Sequence, residues 1–149
     1  MLSPYRVLDL TDDRAALGPM ILADLGADVV RIEPPGGAPD RWVEPLIPGA
    51  PRELSSARFH VFNRNKRSVT LDLAAPAGRE AFLELVRGAD FLLENAGPGV
   101  MRSAGLGWDA LRAANPSLVY VATSPFGQDG PYANHLSTDA LPNLFGNGP

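Results

Sequence analysis

The densest group of positive charges in this 149-residue sequence is Arg64-Asn65-Lys66-Arg67, where Lys66 is the only lysine. Arginine offers a planar fork to phosphate oxygens, and lysine supplies a mobile ammonium group. Asparagine side chains such as Asn65 can hydrogen-bond a ribose or a phosphate. The cluster therefore predicts a phosphate contact, with an ordinary solvated turn as the alternative interpretation.

A second candidate is the glycine-rich turn Asn95-Ala96-Gly97-Pro98-Gly99, which lies between a predicted strand and a predicted helix. Glycines let a ligand approach the backbone, and free N–H groups at a helix start favour an anion. A plain turn without a ligand is equally compatible with these residues. No G-x-G-x-x-G pattern follows the first predicted strand, so the sequence does not indicate ordinary NAD binding.

Other kinds of site receive little support. The two histidines, His60 and His135, have no recognisable Ser or Asp partner, and the aspartates form no pair with the spacing of a catalytic dyad. The absence of cysteine excludes disulfides, a thiolate nucleophile and a Cys-based zinc site. We therefore assign no catalytic and no metal-binding residue. A net charge of -4 weighs against a nucleic-acid partner.

The composition, with 45% hydrophobic and 20% charged residues, is that of one globular domain. The longest apolar runs are far shorter than the ~20 residues of a membrane helix, and the N-terminus lacks the pattern of a signal peptide. We expect a cytoplasmic protein without a membrane partner.

The elements that must position these residues alternate between strand and helix, which favours an α/β fold with a mostly parallel sheet. A long Pro/Gly loop (34–57) follows the second strand, regular structure resumes at Phe59 to Phe62, and an irregular tail covers 124–149. Leu17, Met20, Ile21 and Leu25 form the apolar stripe of a helix. The predicted strands are Arg6–Leu10, Asp28–Glu33, Ser68–Leu73, Phe91–Glu94 and Leu118–Thr123, and the other predicted helices begin at Pro76, Val100 and Trp108.

Three Gly/Pro-rich loops follow predicted strands, after Glu33, Glu94 and Thr123. Because the carboxyl ends of parallel strands share one edge of the sheet, these loops can converge on one ligand; the alternative is that they contain Gly and Pro simply because loops do.

Six ordered blocks, which together span nearly the whole chain, resemble the family III CoA-transferases, the group of formyl-CoA transferase, carnitine CoA-transferase and the 2-methylacyl-CoA racemases. The blocks are Val7–Leu10, Leu22–Gly37, Asn63–Leu73, Ala89-Asp90 with Glu94-Asn95 and Gly97–Gly99, Gly105–Gly107 with Asn115-Pro116, and Phe126–Gln128 with Gly130-Pro131.

The resemblance implies a Rossmann-like large domain with flanking helices, of which 1–149 is the N-terminal part, in an interlocked homodimer. Its substrates are coenzyme A as acyl-CoA and a carboxylic acid acceptor, and it implies no metal. The residues expected to bind CoA are Lys66 and Arg67 at the phosphates, Asn65 and Asn95 as polar contacts, Leu71 at the adenine, Ala96, Gly97 and Gly99 in the turn, and Arg14 and Arg41 at the loop edge.

In the transferases of this family an aspartate in a downstream Gly-Asp segment attacks the acyl-CoA thioester. No such segment is found before Pro149, so the chain is expected to be inactive alone. The racemases place a His before Asp in the region of Thr138-Asp139, and Thr138 therefore argues against a racemase. The start also departs from the family, because Asp12-Asp13-Arg14 replaces a mostly apolar turn.

Two alternatives remain open at this point. The chain is either a non-catalytic interaction module on the same scaffold or an inactive truncated fragment. Burial distinguishes the module, because a sheet that later chain completes would leave an apolar edge or face exposed, including part of the tail near Leu141, Leu144 and Phe145, and would associate when alone.

Overall fold

The computed structural model describes residues 1–135, which form a five-stranded, wholly parallel sheet in the order β3-β2-β1-β4-β5. Central strand β1 pairs with β2 on one side, Val7 opposite Val29, and with β4 on the other, Leu8 opposite Leu92. The predicted α/β fold is confirmed. The strands are β1 (Arg6–Leu10), β2 (Asp28–Glu33), β3 (Arg67–Thr70), β4 (Phe91–Glu94) and β5 (Val119–Ala122).

Two of the α-helices begin at a start signal in the sequence. The Ser56 hydroxyl accepts the N–H of Phe59 at the start of α2, and Pro76 occupies the first turn of α3, where a missing N–H is tolerated. The α-helices are α1 (Leu17–Asp24), α2 (Ala57–Asn63), α3 (Pro76–Arg87), α4 (Val100–Ser103) and α5 (Trp108–Ala114), and short 3-10 helices cover Pro39–Trp42 and Arg52–Leu54.

Each face of the sheet has its own apolar cluster. On one face, Leu8 and Leu92 pack with Phe82 and Val86 of α3 and Leu111 of α5. On the other face, the cluster of Val7, Val29, Ala23 and Ala27 packs beside α1. Alternate strand residues face opposite sides of the sheet, so the neighbours Val7 and Leu8 belong to different clusters and both faces are apolar.

Strands β1, β2 and β4 have the predicted bounds, whereas β3 and β5 are shorter than predicted. The segment Phe59 to Phe62 is helical, and its helix begins at Ala57, inside the predicted loop. The rest of that loop contains the two 3-10 helices. Ser56 explains why α2 begins earlier than predicted. Its hydroxyl accepts the N–H of Phe59 and so caps the helix at a position that the spacing of apolar residues does not indicate.

Helix α1 presents its predicted apolar stripe to solvent instead of the core. Leu17 is 54% exposed, Ile21 45% and Leu25 40%, while Pro19 and Ala23 are buried. The residues of α1 that pack toward the sheet are therefore the smaller ones. Periodicity found the helix but selected the wrong face.

The sequence predictions made at Thr138, Asp139, Leu141, Leu144 and Phe145 lie outside the described residues. Within 1–135, no helix is long and apolar enough to cross a membrane.

Candidate functional site

The loops that follow β1, β2, β4 and β5 lie at the carboxyl edge of the sheet. The chain runs outward from β1 through β2 to β3, then crosses back to β4 on the other side of β1 and continues outward to β5, so the strand order reverses between β1 and β4. In open parallel sheets, the crevice at such a reversal is the usual position of a ligand. The residues beside it therefore define the candidate site.

Asn95 and Asp12 bridge this crevice. The Asp12 backbone N–H donates to Asn95 Oδ1 at 2.9 Å, and Asn95 Nδ2 donates to Asp12 Oδ1 at 2.6 Å. Arg14 folds back so that its Nε and Nη2 donate to the same carboxylate. Burial acts to raise the pKa of Asp12, but these hydrogen bonds from Arg14 and Asn95 hold it below its ordinary value. Asn95, one of the predicted contacts, thus ties the β4 loop to the β1 loop, and Arg14, another, is held on Asp12 within the β1 loop.

Lys66 reaches beneath the crevice rather than into it. Its Nζ lies 2.8 Å from Asp9 Oδ2 and 3.1 Å from Asn63 Oδ1, and its side chain is only 1% exposed. Asp9 also accepts the hydroxyl and N–H of Thr11. Burial lowers the pKa of the Lys66 ammonium, and the attraction of Asp9 opposes that shift. The ammonium predicted to meet a phosphate is buried in an internal ion pair.

Arg31 joins this pair to both neighbouring loops. Its Nη1 donates to the carbonyl of Thr11 at 2.8 Å, in the β1 loop, and its Nη2 donates to Asp40 at 2.7 Å, in the β2 loop. Nη1 also lies 3.5 Å from Asp9. Burial raises the pKa of Asp40, against the attraction of Arg31. Arg31 was not among the predicted site residues, since a charged residue inside an apolar strand looks like an ordinary strand position.

Arg41 fixes the start of the β2 loop through Glu33. Its Nε and Nη2 donate to the two carboxylate oxygens at 2.6 and 2.8 Å, and Ser68 Oγ and the Ala38 N–H donate to them as well. Burial alone would raise the pKa of Glu33, but these hydrogen bonds lower it to about 2. The guanidinium lies 4.1 Å from the Phe59 ring centroid. Arg41 is therefore held at the start of the β2 loop, with its guanidinium already hydrogen-bonded to Glu33.

Asn65 and Arg67 lie at the opposite edge of the sheet. Arg67 Nε and Nη2 donate to Asp28 at 2.9 and 2.6 Å, and Asn65 Nδ2 donates to Asp24 at the end of α1. The reason is topological, because their turn precedes a parallel strand whereas the ligand loops follow strands. The structure does not bring Asn65 and Arg67 together with the Asn95 to Gly99 turn.

Leu71, Ala96, Gly97 and Gly99 remain at the carboxyl edge. Leu71 follows β3 and is partly buried against the core. Gly97 and Gly99 adopt φ of 102° and 75°, which favours glycine, and a Cβ at either would meet no atom within 4 Å. The backbone of this turn is therefore accessible to a ligand.

A cavity of about 380 Å³ opens between this turn and the loop after β5. The Trp108 and Tyr120 rings stack in its wall at 6.2 Å, and the Tyr120 hydroxyl donates to Glu94 at 2.9 Å. Burial is the main cause that raises the pKa of the Tyr120 hydroxyl, and its hydrogen bond to the Glu94 carboxylate raises it further. The other lining residues are Gly97, Pro98, Gly99, Met101, Arg102, Gly107, Ala122, Gln128, Asp129 and Asn134. Sequence reasoning missed Arg102, Trp108 and Tyr120, whose convergence no local pattern encodes.

The family profile "CoA-transferase family III" matches residues 2–146. The chain belongs to CoA-transferase family III. It is 41% identical over 146 residues to a succinate–glutarate CoA-transferase of Agrobacterium fabrum, covering 94% of this chain and 36% of that protein. It is also 41% identical to an acetyl-CoA:oxalate CoA-transferase of Acetobacter aceti, covering 91% and 34%.

The crystal structure of Rv3272 from M. tuberculosis superposes with a TM-score of 0.83 at 37% identity, covering 94% of this chain and 39% of that one. This family III chain thus spans about a third of the length of the curated relatives it matches. Within residues 1–135, no group of three or more His, Asp or Glu side chains is placed to hold a metal ion.

Proposed function

We propose that this chain supplies the CoA-binding portion of an enzyme that moves CoA from an acyl-CoA donor to a carboxylic acid. The observation that carries the proposal is the family match over residues 2–146, at 41% identity to relatives named as CoA-transferases. The substrates of the whole protein are part of the proposal. Succinate, glutarate and oxalate, the acids in those names, are dicarboxylates, so a dicarboxylic acid is the acceptor class to test first.

The proposed binding surface is the carboxyl edge on the β4 side of the crevice. Gly97 and Gly99 offer open backbone, Ala96 is exposed beside them, and Asn95 holds the turn against the β1 loop. Leu71, at the end of β3, offers apolar surface to the adenine. Arg14 borders the same crevice through its contact with Asp12.

Lys66 and Arg67 are weaker candidates for binding the phosphates of CoA than their residue types suggest. Each already has a carboxylate partner, Asp9 for Lys66 and Asp28 for Arg67. A phosphate would have to displace that partner, and for Lys66 the displacement would leave a buried carboxylate with one counter-charge fewer. No residue of 1–149 is proposed as the nucleophile, and acyl transfer would use the family's downstream aspartate.

Calorimetric titration of CoA into the purified chain, after circular dichroism has shown that it is folded, tests the proposal. We expect saturable binding, with about 2.7 kcal/mol of stabilisation at a hundredfold excess of CoA over its dissociation constant. Pantetheine without phosphates is the control ligand and is expected to bind more weakly. A folded chain that does not bind CoA would contradict the proposal.

A non-catalytic interaction module is the second candidate, and exposed apolar side chains on β5 and α1 weigh against it, because a sheet that further chain completes would leave such residues uncovered. Val119 and Val121 of edge strand β5 are 48% and 41% exposed, and Leu17, Ile21 and Leu25 of α1 are exposed as well. Parallel sheets are normally covered on both faces. We propose that these apolar residues are buried in the assembled protein, which the family resemblance implies is a homodimer. Ultracentrifugation distinguishes the candidates, since a monodisperse monomer that ignores CoA favours the module.

A further inference from the structure

One peptide group in the β1 loop is hydrogen-bonded on both sides by residues that are far apart in sequence. The carbonyl of Thr11 accepts a hydrogen bond from Arg31 Nη1 at 2.8 Å. The N–H of the same peptide group, that of Asp12, donates to Asn95 Oδ1 at 2.9 Å. A peptide group is planar, and its C=O and N–H point in opposite directions. The bond to Arg31 therefore fixes the direction in which the N–H points at Asn95.

Thr11 is held by the buried ion cluster at each of its polar groups. Its N–H and its hydroxyl donate to Asp9 Oδ1 at 2.9 and 2.7 Å, and its carbonyl accepts from Arg31. Arg31 Nη1 in turn lies 3.5 Å from Asp9 Oδ2. With all of these bonds made, the peptide group that follows Thr11 has little freedom to rotate.

Asp40 fixes Arg31 from the β2 loop. Arg31 Nη2 donates to Asp40 Oδ2 at 2.7 Å, and both side chains are 3% exposed. Replacing a buried ion pair with apolar side chains is often neutral or stabilising, so stability alone does not account for a guanidinium at this position. An apolar side chain would supply no donor for the Thr11 carbonyl. A charged donor also polarises the peptide group and so strengthens the bond from its N–H.

Asn95 is the first residue of the turn that the proposed function assigns to the ligand. Its side chain depends on Asp12 for two hydrogen bonds, because Nδ2 donates back to Asp12 Oδ1 at 2.6 Å. Gly97 and Gly99, which present open backbone, follow two and four residues later. A rotation of the Thr11 to Asp12 peptide group would remove the donor that holds the Asn95 oxygen.

We propose that Arg31 is a positioning residue for CoA binding, because it directs the Asp12 N–H to Asn95 and thereby sets the position of the ligand-binding turn. The inference rests on the proposed function. Since its side chain is 3% exposed, Arg31 acts through Asn95 and does not touch the ligand.

The first test removes Arg31 together with its carboxylate partner, so that no unpaired charge is left at position 40. We expect Arg31→Met/Asp40→Asn, checked for folding by circular dichroism, to bind CoA about fivefold to tenfold more weakly than the parent chain in calorimetric titrations, the scale of one lost hydrogen bond. Arg87→Met/Glu84→Gln removes an exposed ion pair of α3 with the same zero change in net charge, and it should bind like the parent. Arg31→Lys retains a charged donor and should keep part of the affinity.

Two further measurements separate positioning from a merely structural role. Hydrogen exchange of the Asp12 amide, followed by NMR, should be faster in Arg31→Met/Asp40→Asn than in the parent chain, while the amides of α3 keep their rates. In an Asn95→Ala background, the same double substitution should cause no further loss of CoA affinity, because the contact through which Arg31 acts is already gone.

An additive loss in the Asn95→Ala background, or an unchanged Asp12 amide, would overturn this inference. Equal CoA affinities of the parent chain and a folded Arg31→Met/Asp40→Asn variant would also overturn it, and would leave the proposed function intact. A folded parent chain that does not bind CoA would overturn both.

Discussion

The two halves of the sheet treat charge in opposite ways. In the half formed by β1, β2 and β3, Lys66, Arg31 and Arg41 are each held by a buried carboxylate. In the half formed by β4 and β5, Arg102 faces a cavity without a partner among the described residues. The difference teaches that a cation's availability to a ligand depends on the acid opposite it, which for Lys66 lies 57 residues earlier in the sequence.

The buried half uses its ion pairs to hold loops. Arg31 connects the β1 loop, through the Thr11 carbonyl, to the β2 loop, through Asp40. Lys66 attaches the α2–β3 turn to β1 through Asp9. Such pairs contribute little net stability compared with apolar packing, but removing one member leaves the other charged and buried. Single substitutions here should therefore be far more damaging than in the cavity half.

Replacing Lys66 with Ala should produce the largest effect. The substitution leaves the fully buried Asp9 with Arg31 as its remaining ion partner, 3.5 Å away, so we expect a loss of about 3 to 5 kcal/mol in the free energy of unfolding. Urea denaturation measures it. Arg102→Ala is the matched control and should change stability by less than about 0.5 kcal/mol. Similar costs for the two variants would remove the distinction between the halves.

Glu33 should make the stability of the buried half depend on pH. Its pKa is lowered from 4.5 to about 2 in the folded chain, so its stabilising contribution is present above pH 4.5 and is lost as the pH falls toward 2. We expect up to about 3 kcal/mol of the unfolding free energy to disappear across that window. Urea denaturation between pH 5 and 2.5 measures this loss.

Glu33→Gln should flatten that part of the pH profile, because an amide does not titrate. Glu80→Gln, at an exposed position of α3, is the control and should keep the parent profile. If Glu33→Gln and the parent chain lose stability in parallel as the pH falls, another group is responsible for the acid sensitivity.

The fold was largely predictable because its signals are local. The apolar runs at Asp28–Glu33 and Phe91–Glu94, the proline at position 76 and the glycine at 88 act within a few residues of themselves. The buried face of helix α1 was predicted wrongly. Its larger apolar residues are exposed, whereas Pro19 and Ala23 are buried. Which face a helix buries depends on the spacing between layers, and that spacing is a tertiary property.

The candidate site was less predictable because the partners of its charged residues are set by the tertiary structure. Residue type suggested Lys66 and Arg67 as phosphate contacts, but their partners Asp9 and Asp28 lie 57 and 39 residues earlier. The amino-edge position of Arg67 follows from topology alone, because its turn precedes β3. Arg102, in contrast, carries no motif, and only the described cavity sets it apart from other surface arginines.

Asn95 joins the two halves, and its replacement by Ala should have an intermediate effect. Two hydrogen bonds to Asp12 would be lost, so we expect destabilisation by about 1 to 2 kcal/mol, measured by urea denaturation. Asn134→Ala, at an exposed cavity position, is the control. An Asn95→Ala variant as stable as this control would mean that the crevice is not held closed by this pair.

Asp129→Asn should produce the smallest effect and the opposite sign, because it concerns ligand affinity. The variant removes a negative charge from the lining of the cavity between the β4 turn and the β5 loop, so CoA should bind about twofold to fivefold more tightly at low salt, the scale of one exposed charge interaction. The gain should fade as salt screens the field. Asp109→Asn on α5, outside the lining, controls for net charge. An equal gain in both variants would attribute the effect to the overall charge of the chain, whereas a gain confined to Asp129→Asn would locate the bound anion in the β4–β5 half.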